Sequence, residues 1–390
     1  MFETDLRLSK RPGILVGGGA YKAREVIESF AIAHQIPVFR TWNGIDVITD
    51  DSPVFGGTVG TYGGAGRNFG IQNCDLLLVL GCRISGRITG GVPETFARGA
   101  KIYVVDVDEH LLNPEFQPRK ADVNIQCDVG DYMNELHLDS IIADDYRRDT
   151  RWLITCREWV KKYDPVKPEH FESVHHYGVM RRFSELLPRN AIVVSDTGGN
   201  AIMMGHCFKS KKGQRIFSSN GNSAMGFSMC GAMGAWFADP SRPVYCVIGD
   251  GGMNMNLQEL QTMVNYGCEV KTVILNNHIL GNTKSWQRVN GRAELACGPD
   301  GYSPPDFIGI GRAYHIPSHF YVSEHQLSDL IKRDGAWILD VVHHDFCTYE
   351  PRMSYWDRGI EEMYPPLDPE EFKANMFIDP LEGWENREWR

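Results

Sequence analysis

Short apolar runs and amphipathic stretches alternate along most of the chain. Gly13-Ile14-Leu15-Val16 runs into Gly17-Gly18-Gly19, a helical pattern covers Tyr21 to about His34, and Pro37-Val38-Phe39-Arg40 reads as the next strand. That is a βαβ unit. Asp75 to Gly81 and Lys101 to Val107 are continuous apolar runs, as expected of parallel strands buried on both faces. Between about 138 and 175 the pattern breaks: DDYRRDTRW and KKYDPVKPEH carry dense mixed charge around two prolines and read as an exposed connector with some helix. The alternation resumes with an amphipathic stretch from Tyr177 to about Leu187. Strand-like runs follow at Ala191 to Asp196, Pro243 to Ile248, Val270 to Leu275 and Ala336 to Val342. The pattern predicts an α/β fold of two doubly wound parallel-sheet domains, over 1–137 and 176–347, with a linker at 138–175. A tail at 348–390, rich in aromatics, Pro and acids, shows no strand pattern. Its Trp and Tyr content favours lying on a surface, and Arg352, Trp356 and Arg358 are candidates for a lid.

Composition narrows the class. The chain has 390 residues with 42% hydrophobic and 23% charged, and no apolar stretch approaches the roughly 18 residues of a bilayer span. A membrane function is excluded, and an N-terminus of charges followed by a short apolar run ending in glycines is unlike a signal peptide. A cytoplasmic location is expected. Ten cysteines lie scattered without a C-x-x-C pair, so buried thiols are expected rather than disulfides or a zinc site. A net charge of −10 without a sustained Lys/Arg cluster argues against nucleic acid. The 40 glycines exceed the usual share of about 7%, and many fall at strand ends.

Ile248-Gly249-Asp250-Gly251-Gly252 is one such end, with a helical pattern from Asn254 to Tyr266 behind it. Small residues around an acid allow close backbone approach, and a following helix N-terminus offers N–H groups to an anion. One acid is a poor cage for a divalent ion. Asn276-Asn277, at the end of the next strand, supplies amide oxygens one helix and one strand later. Asp, Asn and carbonyl oxygens, completed by phosphate and water, suit Mg²⁺.

GDGGMNMNLQEL followed by VKTVILNNHILG resembles the cofactor motif of thiamine-diphosphate (ThDP) enzymes, and its surroundings look most like the acetolactate synthase large subunit. The resemblance implies ThDP and Mg²⁺, with the Asp250 carboxylate, the Asn277 side chain and the Ile279 carbonyl as metal ligands. It places Gly249, Gly251, Gly252 and Gly281 at the diphosphate. Gly199 and Asn200 stand where the family's first ThDP loop carries Gly-Gln-His, so Asn200 departs from the pattern. In Asn220 to Gly226, Met225 matches the apolar residue that props ThDP in its bent form, and the Ser223 carbonyl matches the acceptor for its 4′-amino group. Gly281-Asn282-Thr283-Lys284-Ser285-Trp286-Gln287 keeps the family's G-x-x-x-x-W-Q pattern, which makes Trp286 the candidate for recognising the acceptor keto acid. Asn282 stands where an apolar side chain is common, so a more polar substrate is open. His278 is a candidate for substrate contact or support, His343-His344 reads as a sheet cap, and His175-His176 as solvated.

The first block resembles the middle domain of the same family, whose glycine-rich ends hold FAD in acetolactate synthases. Gly17 to Gly19, Gly60-Thr61-Tyr62-Gly63, Gly81 to Gly90, Asp106-Val107-Asp108 and Asp128 follow its order. Gly18, Arg83, Arg87 and Asp106 are the candidate contacts: glycines admit a pyrophosphate, arginines pair with phosphate, and an acid at a strand end suits ribose or adenine. FAD and a vestigial domain that binds ADP or nothing are both open, and Tyr62 departs from the family's His.

ThDP chemistry also requires a glutamate on a pyrimidine-binding domain that precedes the middle domain in the family. The 390 residues contain no third α/β block. The expectation is therefore a separate subunit carrying that domain, in a hetero-oligomer whose copies of this chain also dimerise. With it the chain would decarboxylate a 2-keto acid and ligate the product to an acceptor. A simple decarboxylase or C–C lyase, and a non-catalytic nucleotide-binding subunit, are the alternatives.

Overall fold

A computed structural model of the chain describes residues 1–142, 150–354 and 356–386. It divides into two compact units, Met1–Pro165 with Glu350–Arg390, and Val166–Tyr349. Each is built on a six-stranded, all-parallel sheet. The first contains β1 (Pro12–Val16), β2 (Val38–Arg40), β3 (Phe55–Thr58), β4 (Leu76–Leu80), β5 (Lys101–Asp106) and β6 (Val123–Gln126), in the order β3-β2-β1-β4-β5-β6. The second contains β7 (Ile192–Ser195), β8 (Arg215–Phe217), β9 (Val244–Gly249), β10 (Lys271–Asn276), β11 (Ser318–Phe320) and β12 (Trp337–Val342), in the order β11-β12-β10-β9-β7-β8.

The central strands are predominantly apolar, as expected of parallel strands buried on both faces. β1 and β4 are buried at every position, as is β10, including Lys271 and Asn276. The sequence pattern anticipates eight of the strands. β3, β6, β8 and β11 are the other four, and each is an edge strand. Their segments FGGT, VNIQ, RIF and SHF are three or four residues long, and an edge carries no uninterrupted apolar run. The helix expected from Asn254 to Tyr266 is two, Asp250–Met255 and Glu259–Tyr266.

The expected linker at 138–175 is not uniformly exposed. Helix Arg151–Lys162 buries Trp152, Cys156 and Trp159 in the core of the first unit, and the Trp152 indole donates to the Pro12 carbonyl at 2.8 Å. Its charges line the outer side of an amphipathic helix, which is why the segment reads as a connector. Residues 143–149 of that linker lie outside the described residues.

From Glu350 on, the tail belongs to the first unit. Arg352–Met353 pairs antiparallel with Met363–Tyr364, and helix Pro369–Ala374 is capped by Asp368. Asn68 donates to the Ile360 carbonyl at 2.8 Å, Asn73 to the Asn375 carbonyl at 2.8 Å, and Trp159 to the Asn375 side chain at 2.8 Å. Glu361, 1% exposed, is held by Arg98 at 2.7 Å and Gln72 at 2.6 Å. Met353, Ile360, Phe372 and Met376 complete an apolar cluster.

Candidate active site

Ligands of open parallel sheets bind beyond the carboxyl ends of the strands where the chain's winding reverses. In the second unit β8 lies on one side of β7 and β9 on the other, so the reversal falls between β7 and β9. Asp196 to Gly199 leave the end of β7, and Asp250 opens the helix after β9. Leu275 of β10 pairs with Gly249. Asn276 and Asn277 therefore leave their strand beside Asp250.

Three oxygens there have capacity to spare. Asp250 is 2% exposed and its Oδ2 has no donor in hydrogen-bond geometry among the described residues, although the Tyr302 hydroxyl stands close to the same carboxyl. Burial pushes its carboxyl up to about 7, against the pull of the Gly251 N–H. A buried carboxylate oxygen without a donor is costly and marks a place for a ligand. Asn277, also buried, donates through Nδ2 to the Phe346 carbonyl at 2.7 Å, which turns its Oδ1 away to accept only a long contact of 3.3 Å from the Ile279 N–H. The Ile279 carbonyl accepts no hydrogen bond among the described residues. His278 between them has φ +60°, a left-handed residue that forms the tight bend, and its N–H bonds to Asn276 Oδ1 at 3.3 Å. A carboxylate, an amide oxygen and a carbonyl with free lone pairs fit a hard divalent cation such as Mg²⁺.

The glycines around this edge are crowded. A Cβ on Gly281 would stand 2.4 Å from Asn277 Nδ2, and one on Gly252 would stand 2.1 Å from Asp196 Oδ2. A side chain at either place would push the ligand loop or the Asp196 carboxylate aside. Gly251 is looser, with Met225 Cε and Leu280 each 3.1 Å from a Cβ there. Met225 is thus beside the glycine loop that follows β9, and at 41% exposed it is not a core side chain. Ser223 precedes it with φ +53° and its hydroxyl bonds to the Asn220 carbonyl at 2.9 Å. Asn200 is buried, donates to the Thr197 carbonyl at 3.1 Å and faces Gly249. The Gly199 backbone is approached by the Tyr349 hydroxyl, 2.1 Å from the position of a Cβ. Trp286 lies on the exposed side of helix Gly281–Val289, 57% exposed, and Asn282 faces Gly198.

Sequence reasoning missed Asp196 as a functional residue. It is 1% exposed, and its two oxygens accept the N–H groups of Gly226 at 3.0 Å and Ser228 at 3.2 Å. It thereby caps helix Phe227–Ala238 and fixes the segment bearing Met225, while its Oδ2 meets the Gly252 backbone. An acid directly after a strand and before Thr-Gly-Gly was the available signal. The histidines also differ from expectation. His176 is 1% exposed and its Nε2 bonds to the Val341 carbonyl at 2.9 Å, while His175 stacks on His170 with centroids 4.2 Å apart. Neither is a solvated linker residue, since burial pushes both imidazoles down to about 3. His278 lies 4.3 Å from His344.

In the first unit the reversal falls between β1 and β4. Gly18 and Arg83 are exposed there, Arg87 lies over the Trp42 ring at 5.8 Å, and Asp106 Oδ1 accepts the Asp108 N–H at 3.1 Å. Among the described residues no helix is long and apolar enough to cross a membrane, and no three His, Cys, Asp or Glu side chains form a metal cluster. The Asp250 set, with an amide and a carbonyl, is of another kind.

The family model "Thiamine pyrophosphate enzyme, C-terminal TPP binding domain" matches residues 196–337, and "Thiamine pyrophosphate enzyme, central domain" matches residues 4–136. Similar curated proteins include a probable acetolactate synthase large subunit of Methanocaldococcus jannaschii, 31% identical over 86% of this chain and 58% of that protein. The acetolactate synthase large subunit of Parasynechococcus marenigrum is 32% identical over 94% and 57%, and the isozyme 2 large subunit of Escherichia coli is 27% identical over 86% and 60%. The chain therefore spans less than two thirds of the length of these relatives. With both domain models matched in order, and the buried Asp250 and Asn277 at the strand ends inside the second, the chain belongs to the thiamine pyrophosphate enzymes, acetolactate synthase-like in kind.

Proposed function

We propose that the second unit binds ThDP through Mg²⁺ and serves decarboxylation of a 2-keto acid with ligation of the product to an acceptor. The observation that carries this is the buried Asp250 Oδ2, with no donor in hydrogen-bond geometry among the described residues, beside the spare oxygens of Asn277 and Ile279. When bound, ThDP supplies the carbon nucleophile and electron sink that the reaction needs. The chain's own residues hold it. Asp250, Asn277 and the Ile279 carbonyl take the metal, and the backbone of Gly251 and Gly252 approaches the diphosphate at the start of a helix. Met225, held by Asp196 through Gly226, supports the ring system. Trp286, exposed on its helix, contacts the acceptor substrate, and the exposed polar side chain of Asn282 favours an acceptor more polar than a simple alkyl keto acid.

The glutamate that polarises the aminopyrimidine comes, in this reading, from a pyrimidine-binding domain on a separate chain, and copies of the present chain pair within the resulting hetero-oligomer. The similarity to acetolactate synthase large subunits supports the reaction class. The test is CO₂ release from pyruvate with ThDP and Mg²⁺, using this chain alone and with a co-expressed pyrimidine-domain protein. Turnover only in the combined sample is expected. Turnover by the 390 residues alone would sink the division of the site between chains.

A further inference from the structure

A glycine lets another group reach its backbone because it lacks a Cβ, so whatever stands at the Cβ position identifies the occupant. If FAD followed the resemblance across the first unit, adenosine would lie at Asp106 after β5 and the pyrophosphate at the reversal between β1 and β4. The flavin would then continue toward β2 and β3, onto Gly60 to Gly63 and the facing stretch Gly86 to Gly91. The two halves of that path differ.

At the pyrophosphate end Gly18 and Arg83 are exposed, and Arg83 makes no hydrogen bond or ion pair among the described residues that would have to break before it met a phosphate. At the flavin end the places are taken. A Cβ on Gly63 would stand 2.9 Å from Met363 Cε, one on Gly90 would stand 2.8 Å from Met353 Sδ and 3.2 Å from Ile360, and one on Gly91 would stand 2.1 Å from the Trp356 carbonyl. Gly60, with φ +131°, is closed by the Arg87 carbonyl at 2.6 Å. Hydrogen bonds fasten the same strip: the Met353 N–H donates to the Thr61 carbonyl at 2.5 Å, Thr61 N–H to the Arg87 carbonyl at 2.9 Å, and Asn68 Nδ2 to both the Gly60 and Ile360 carbonyls. A flavin would have to lift Ile360 and Met363, which are 0% and 1% exposed, and Glu361 with its two partners.

We infer that the chain's own segments Met353–Ser354 and Trp356–Met363 fill the flavin half of the first unit's nucleotide cleft, so that this unit excludes FAD and leaves room only for its adenosine diphosphate half. The glycines kept at 60, 63, 90 and 91 serve the close approach of this strap. It is independent of the ThDP reading, since every contact used lies within the first unit.

The test titrates FAD and ADP side by side into the full chain, following heat release and, for FAD, retention of flavin absorbance after desalting. In parallel, hydrogen exchange of residues 352–363 is followed with and without FAD. The expected result is that FAD binds no more tightly than ADP, including the case in which neither binds, with no flavin retained and exchange of the strap unchanged. FAD binding at least tenfold tighter than ADP, stoichiometric retained flavin, or altered exchange in 352–363 on adding FAD would overturn the inference. Arg83→Ala sharpens it: any ADP affinity falls while the melting temperature stays, because Arg83 is exposed.

Discussion

The two units carry the same architecture to opposite ends. Each has six parallel strands, a reversal in strand order, and glycines crowded where the central strands finish. In the second unit those glycines surround a buried carboxylate oxygen that has no donor in hydrogen-bond geometry among the described residues. In the first, the glycines of the β3 side meet Met353, Trp356 and Met363 of the same chain. A glycine-rich strand end therefore signals close approach without saying of what. The distinction lies in an unsatisfied carboxylate oxygen at the glycine-lined strand end itself, because a buried acceptor left alone costs about 1–3 kcal/mol unless a ligand arrives.

The sharpest way to break the contrast is to remove the atom on which it rests. Asp250→Ala is expected to weaken Mg²⁺-dependent ThDP binding by more than about 100-fold, as losing a first ligand exceeds the 10–100-fold usual for outer partners, measured by calorimetry. The same variant leaves the melting of the first unit as it was. The reciprocal change is Glu361→Ala, which strands Arg98 and Gln72 and is expected to destabilise the first unit by about 3 kcal/mol, read from denaturant unfolding, with ThDP affinity unchanged. Asp196→Ala leaves the N–H groups of Gly226 and Ser228 without acceptors. It is expected to cost about 2 kcal/mol and to loosen ThDP more than inorganic diphosphate, since only ThDP needs the Met225 segment.

Asp250 also sets a pH dependence. Its carboxyl is raised to about 7 by burial, so the metal-free folded state holds a proton that the unfolded chain gives up near its ordinary value. The stabilisation is full below that ordinary value and is lost as pH rises through about 7. Metal needs the deprotonated form, so Mg²⁺ affinity should climb over the same interval, by up to about tenfold per pH unit. Calorimetry across pH 5 to 8 checks this, and Asp250→Asn should flatten both trends. The smallest effect is expected of Trp286→Ala, which at 57% exposed should change ThDP affinity by less than about threefold while raising KM for the acceptor.

What was legible in the sequence follows from where each force acts. Central strands such as Leu76–Leu80 and Lys271–Asn276 announce themselves because both faces are buried, whereas edge strands such as Phe55–Thr58 and Ser318–Phe320 have only one neighbour and no apolar run. Asp250 and Asn277 were legible because each stands at the end of such a central strand. Asp196 was less so: its place between a strand and Thr-Gly-Gly is a weak signal, and its role exists only once Gly226, Ser228 and Gly252 are brought to it from elsewhere in the chain. The tail was opaque for a related reason. Arg67 grips the carbonyls of Met363 and Pro365, and Asn68 that of Ile360, and side chains bonding to distant main chain leave no periodic trace.

The central claim is that the second unit's strand ends are completed by a metal and a diphosphate. Titration of ThDP into the full chain, with Mg²⁺ and then with the metal chelated, in wild type and Asp250→Asn, tests it most directly. Saturable binding in wild type that requires Mg²⁺ and is lost in the variant is the predicted result. Equal affinity with and without metal, or an Asp250→Asn protein that binds as wild type does, would contradict it.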